Sequence, residues 1–236
     1  MEAERRIEMC QRAGSTMLDL SNLGLKELPE SVRSLTKLEV LSIENNRIPQ
    51  LPDWLKELCE LRQIDWYRNR TITLPDCLAA LLRLERLYLG SGGTLHNLAI
   101  LGKLRSLRVL DLSGMVNREL PESLRGTSHL HALYLIGIGL NSLPDWAGEW
   151  TGLEILDLSN NALTDLPPTF SKLMNLRELI LDSNRLTTLP PALLALDKLE
   201  RLTLSYNPLY YLPEELIASH DAQRILAFYR GTREQA

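Results

Sequence analysis

The chain of 236 residues has only two Phe and three Cys. So little Phe is unusual for an irregular core, which mixes Val, Ile, Leu and Phe to fill uneven volumes. Three scattered cysteines (Cys10, Cys59, Cys77) make no disulfide framework, and no CxxC pair suggests zinc. No apolar run approaches the ~18 residues of a membrane span. The start, Met1-Glu2-Ala3-Glu4-Arg5-Arg6, lacks the basic-then-apolar order of a secretory signal, so a cytoplasmic protein is expected. Neither sign of charge dominates: 26 basic and 30 acidic side chains give a net charge of −4. That balance points away from nucleic acid as a partner. Four histidines (His96, His129, His131, His220) are too few and too dispersed for a metal site. No Ser/His/Asp or Cys/His arrangement carries a catalytic motif. No metal, cofactor or catalytic residue is therefore expected.

Leucine is what the chain has in excess, 54 of them. The segment Leu38-Glu-Val-Leu41-Ser-Ile43-Glu-Asn-Asn46 recurs, with its first Leu at 38, 61, 84, 107, 130, 153, 176 and 199. Each step is 23 residues, and one step back reaches Ser15, followed by Leu18, Leu20 and Leu25. Nine units without insertion or deletion define the chain's organisation. In each unit a Leu-x-Leu pair alternates with polar residues, the mark of a short half-buried strand. Leu-Pro follows at 28–29, 51–52, 74–75, 120–121, 143–144, 166–167, 189–190 and 212–213. Proline favours an extended predecessor and removes a donor, so it ends the strand arm and opens a helical turn. Apolar residues then recur every three positions, as in Leu55-Leu58-Leu61, which suits a short helix or 3₁₀ segment. The expected fold is an α/β leucine-rich-repeat solenoid, with a concave parallel sheet roughly 40 Å across at ~4.8 Å per strand.

The expected organisation is a helical cap over 1–14, nine repeats over 15–213, and a helical cap and tail over 214–236. Ala3, Ile7, Cys10 and Ala13 form one stripe ahead of Gly14. At the far end 214–230 reads as helical, with Ile217, Ile225, Leu226 and Phe228 or Tyr229 available for coverage and Ser219 or Asp221 as N-cap. Gly231–Ala236 reads as a frayed tail. After each strand an Asn slot is expected to form a structural ladder between coils, filled by Asn46, Asn69, Asn161, Asn184 and Asn207. Leu23, Gly92, Met115 and Ile138 interrupt it. The fourth coil departs most, reading Gly90-Ser-Gly-Gly93 without Leu-Pro, and a reshaped loop is expected there.

The 23-residue unit resembles the cytosolic Ras-suppressor class of leucine-rich repeats. The stretch Glu4-Arg-Arg-Ile-Glu through Gly14 to Leu28-Pro29 resembles the opening of repeat arrays in bacterial Roco proteins. The closing stretch, Asn207-Pro208 through Asp221-Ala-Gln-Arg-Ile-Leu-Ala-Phe-Tyr229, resembles the join to a following GTPase domain. That resemblance implies a protein-interaction and regulatory arm. No GxxxxGK[ST] loop is present, so the chain itself is not expected to bind GTP.

If function is binding, the variable strand positions carry it. The protein-binding residues expected on the concave face are Asp65, Tyr67, Arg86, Tyr88 and Val109, with Asp111, Tyr134, Ile136, Ile155 and Asp157. Tyr and Arg among aliphatics, ringed by acids, is a hot-spot composition. Trp54 and Trp146 share one repeat position, suited to partial burial on the outer rim, and Trp150 takes an inward Leu position. Residues 61–125 carry net charge +4 and 126–171 net −5, a pattern that steers a partner. The expected function is non-catalytic protein–protein interaction, with no nucleic-acid or membrane partner. The alternatives are a secreted bacterial effector or adaptor docking on a host protein, and an enzyme such as a ubiquitin ligase. The last is disfavoured because no catalytic domain follows the repeats.

Overall fold

The computed structural model describes residues 2–69, 73–90, 93–116 and 119–233. The chain divides into two compact units, Met1–Val116 with Pro121–Leu124, and Asn117–Leu120 with Arg125–Ala236.

In the first unit five three-residue strands pair in parallel: β1 (Met17–Asp19), β2 (Val40–Ser42), β3 (Gln63–Asp65), β4 (Arg86–Tyr88) and β5 (Val109–Asp111). The register advances by one repeat at each strand, so Leu18, Leu41, Ile64, Leu87 and Leu110 stand in one row. All five are buried. At about 2 kcal/mol for each buried aliphatic side chain, this row and its inward neighbours drive the stacking. The second unit repeats the arrangement with β6 (Ala132–Tyr134), β7 (Ile155–Asp157), β8 (Glu178–Ile180) and β9 (Arg201–Thr203), around Leu133, Leu156, Leu179 and Leu202.

Behind each of β1 to β8 runs a short 3₁₀ turn, such as Asp53–Glu57, Asp76–Ala80 and Asp145–Glu149. The Pro before it is extended, with ψ of 152° at Pro52, and its carbonyl accepts the first helical bond, from Leu55 N–H at 3.0 Å. The missing proline N–H would have had no helical acceptor. This is the solenoid expected from the period.

The fourth coil reaches the same end differently. Asn97 takes a left-handed φ of 59° and opens a six-residue 3₁₀ turn, Leu98–Lys103. Its Nδ2 donates to the Leu74 carbonyl at 2.8 Å and to Asp76 Oδ1 at 3.1 Å, binding the coil to the one before it. Ser91 and Gly92, part of the expected reshaped loop and of the Asn slots, lie outside the described residues.

At the ends, helix α1 (Glu2–Ala13) buries Ala3, Ile7 and Cys10, but Ala13 is exposed. Gly14 stops it at φ 61°. The closing segment is helical in two pieces. It forms α2 (Glu214–Ser219) and α3 (Ala222–Arg233), broken at His220 with φ 54°. Asp221 caps α3, its Oδ1 accepting the Arg224 N–H at 3.1 Å. Gly231 through Arg233 continue α3 instead of fraying, and 234–236 lie outside the described residues. Tyr229 is buried in this helix and Phe228 is exposed. The His220 carbonyl accepts from Leu202 N–H and Ala222 N–H donates to Glu200, so the free edge of β9 is occupied.

Candidate functional site

Along β3, β4 and β5 the central side chain is buried and its neighbours are half-buried or exposed, so outward columns repeat every 23 residues. In the first unit Asp65, Tyr88 and Asp111 end β3, β4 and β5. Glu44 and Tyr67 lie two residues beyond the ends of β2 and β3, on the same face. With Gln63 these residues line a cavity of about 340 Å3.

Tyr67 can lean into this surface because its neighbour one coil on is Gly90. A Cβ there would stand 2.5 Å from both the Tyr67 ring and the Ser113 carbonyl oxygen. Space, and not a positive φ, is what this glycine supplies. The Arg68 guanidinium sits 5.4 Å from the Tyr67 ring centroid.

Asp65 accepts from Gln63 Nε2 with both oxygens, at 2.9 and 3.1 Å. Burial pushes its carboxyl above the ordinary range. The Gln63 bond and the Arg86 charge pull the other way, while Glu44 and Asp19 add to the upward push. Burial also raises the Tyr88 phenol, followed by the charge of Asp65. Glu44, Asp65 and Asp111 enter no ion pair among the described residues, and the Tyr67 and Tyr88 hydroxyls have no hydrogen-bond partner there. Arg86 is exposed and donates to Gln63 Oε1 at 3.2 Å. Val109 is half-buried on β5.

The remaining expected residues belong to the second unit. Tyr134, Ile136 and Ile155 are half-buried. Asp157 differs from the expectation of an exposed contact. It is buried, at 7% exposure, and its Oδ1 accepts the Ser159 N–H at 2.9 Å, supporting its own turn. Asp111 makes the same bond to Ser113, at 2.8 Å, yet still faces the cavity.

In both units the Asn side chains bind neighbouring backbone. Asn46 donates to the Leu20 and Ile43 carbonyls and accepts from the Leu23 and Leu25 N–H groups. Asn69 donates to Ile43 and Trp66 and accepts from Ile48. Asn161, Asn184 and Asn207 repeat this pattern in the second unit. Met115 and Ile138, which hold the slot elsewhere, are buried apolar side chains.

The repeat motif alone does not reveal the ion pairs between coils. Glu39, Arg62 and Glu85 form an ion-pair ladder between coils, with contacts of 3.9 and 2.6 Å. The alternation of sign at 23-residue steps was its readable signal. The net positive charge of 61–125 is concentrated beside it, where Arg62, Arg83, Arg105 and Arg108 border a hollow of about 430 Å3. Arg62 and Arg83 are already paired with acids. On the proline side Trp54 borders a hollow of about 440 Å3 with Glu27, Glu30 and Asp53. Trp146 stacks edge-on against buried Trp150 at 5.5 Å. Cys77 is buried and its thiol is pushed up to about 11 by desolvation. Among the described residues no group of His, Cys, Asp and Glu is placed to hold a metal ion, and no helix is long and apolar enough to cross a membrane.

The profile described as Leucine-rich repeat region matches residues 16–127 and 91–209. No curated protein matches significantly. Among solved structures, a leucine-rich-repeat protein of Leptospira interrogans is 24% identical with a TM-score of 0.67, covering 85% of this chain and 63% of its own. Drosophila Toll in its complex with Spatzle is 26% identical with a TM-score of 0.66, covering 81% of this chain and 26% of that one. The TLR13–ssRNA13 complex is 24% identical with a TM-score of 0.66, covering 81% and 32%. The chain thus spans less than two thirds of the length of each.

Proposed function

The chain belongs to the leucine-rich repeat family, and from that premise we propose that it is a non-catalytic protein–protein interaction domain whose strand face binds a protein partner. Its repeats occupy 15–213, with 1–14 and 214–236 as caps. The observation that carries the reading is the cavity where Tyr67 and Tyr88 stand among Glu44, Asp65 and Asp111. Half-buried tyrosines with unpartnered hydroxyls supply the rigid, amphipathic area typical of interface hot spots. Toll with Spatzle supports a protein as partner. TLR13 with single-stranded RNA supplies the competing class. Three uncompensated carboxylates oppose a phosphate backbone, so protein is the better reading.

Within this reading the chain acts in the cytoplasm as the regulatory arm of a Roco-like GTPase, supported by its opening and closing stretches. The alternative is a secreted bacterial effector using the same face on a host protein. The two differ in gene context, since a phosphate-loop domain encoded in the same polypeptide favours the first.

The test is affinity capture with the wild-type chain beside a Tyr67→Ala/Tyr88→Ala/Tyr134→Ala variant. Loss of roughly 30-fold or more in affinity is expected, since a hot-spot side chain contributes about 2 kcal/mol or more. Equal retention of every specific partner, or capture of RNA alone, contradicts the proposal.

A further inference from the structure

We infer that the strand-face cavity of the first unit takes a cationic side chain, an arginine or lysine presented by the protein partner. The inference rests on the proposed function and names the chemistry of its contact.

Charge is the first argument. Glu44, Asp65 and Asp111 border the cavity, and among the described residues none of them is in an ion pair. This is unlike the carboxylates of Glu39, Glu57 and Glu85, which all meet arginines of neighbouring coils. Exposed acids such as Glu27, Asp53 and Glu154 also stand outside the described ion pairs, but Glu44, Asp65 and Asp111 are half-buried around one cavity, where their charges add. Arg86, whose charge acts on Asp65, bonds Gln63 and makes no ion pair with Asp65.

Shape is the second argument. The three carboxylates border a cavity of about 340 Å3 and do not converge as metal ligands do. A volume of that order accommodates an extended side chain. Tyr88 and Tyr67 complete the lining, and an aromatic face beside carboxylates attracts guanidinium or ammonium through the ring quadrupole. Arg68 already occupies one approach to Tyr67, which leaves Tyr88 as the principal aromatic contact. Burial holds Asp65 above the ordinary carboxylate range. An arriving positive charge offsets that cost, so the site is more stable filled than empty.

The experiment titrates the full chain with N-acetyl-arginine amide, N-acetyl-lysine amide and uncharged N-acetyl-citrulline amide, following the Tyr67 and Tyr88 ring resonances by NMR. The two cations are expected to shift both rings with Kd on the order of 1 mM, what a ligand of this size reaches at ordinary ligand efficiency. Citrulline is expected to bind at least about tenfold more weakly, because it lacks the charge. In the Glu44→Gln/Asp65→Asn variant the cation response falls by about tenfold or more, with the circular dichroism unchanged. The inference is overturned by equal responses to citrulline and arginine, by no response at about 50 mM cation, or by an unaltered response in the variant. Failure here while the tyrosine variant still loses its partner removes the cation assignment alone. Failure of both removes the interaction reading with it.

Discussion

Glycine 90 and aspartate 65 do different work within the same cavity. Gly90 is what permits the Tyr67 ring to approach the next coil so closely, because any Cβ there meets a backbone carbonyl as well as the ring. Gly90→Ala is expected to destabilise the protein by about 1–3 kcal/mol in urea unfolding, the range for overpacking a filled site. Gly126→Ala, with nothing within 4 Å, is expected to stay within about 0.5 kcal/mol of wild type. Asp65 carries a cost instead. Its folded pKa lies above its unfolded one, so its ionised form is disfavoured by folding once pH exceeds the ordinary carboxylate range. Glu44 and Asp19 reinforce this and Arg86 opposes it. Asp65→Asn is thus expected to raise Tm at neutral pH, with the gain fading as pH falls below the carboxylate range and Asp65 itself protonates. A Tm that falls at neutral pH contradicts this account. The tyrosines and carboxylates of the cavity were legible as outward columns. The burial of Asp157 was not, because the same column position supports a turn or faces solvent according to what its neighbours cover.

Asn97 poses the problem at the scale of one element. Eight coils place Leu-Pro at this turn, and the fourth uses Asn97-Leu98. The period alone marks it as a deviation without saying what it does. Asn tolerates the left-handed region better than most residues, and here its φ is 59° while its amide holds Leu74 and Asp76. Asn97→Leu, which restores the residue of the other coils, is therefore expected to destabilise by about 1–2 kcal/mol. Equal or greater stability of the variant in chemical denaturation contradicts this local account. The strands and 3₁₀ turns were readable because each obeys a rule of its own unit, alternation for the strand and Leu-Pro for the turn. The break at His220 was legible in part, since an N-cap at Ser219 or Asp221 places a helix start inside the closing segment, but the left-handed turn at His220 has no signal in the spacing. What interrupts the helix is the need of the β9 edge for partners, which the His220 carbonyl and the Ala222 N–H provide.

Across the whole molecule the leucines and the asparagine amides explain how coils stack, and their repetition makes them uninformative about function. Asn184, for example, donates to the Leu158, Leu181 and Asp182 carbonyls and accepts from Leu163. The same pattern recurs at Asn161 and Asn207. Charge behaves differently. Most described ion pairs join exposed side chains, where solvent leaves each of them little weight, and among the described residues Glu44, Asp65 and Asp111 of the first unit's strand face stay outside them, while Asp19 in the same column meets Arg6 at 3.9 Å. That separation of stacking from recognition is the central claim. It is tested most directly by photo-crosslinking, with a benzophenone amino acid placed at Ser42 or Gln63 on the strand face, or at Lys56 or Lys172 on the 3₁₀ side. Partner adducts are expected from Ser42 and Gln63 and to be competed by N-acetyl-arginine amide. Adducts of equal yield from Lys56 and Lys172 would contradict the account.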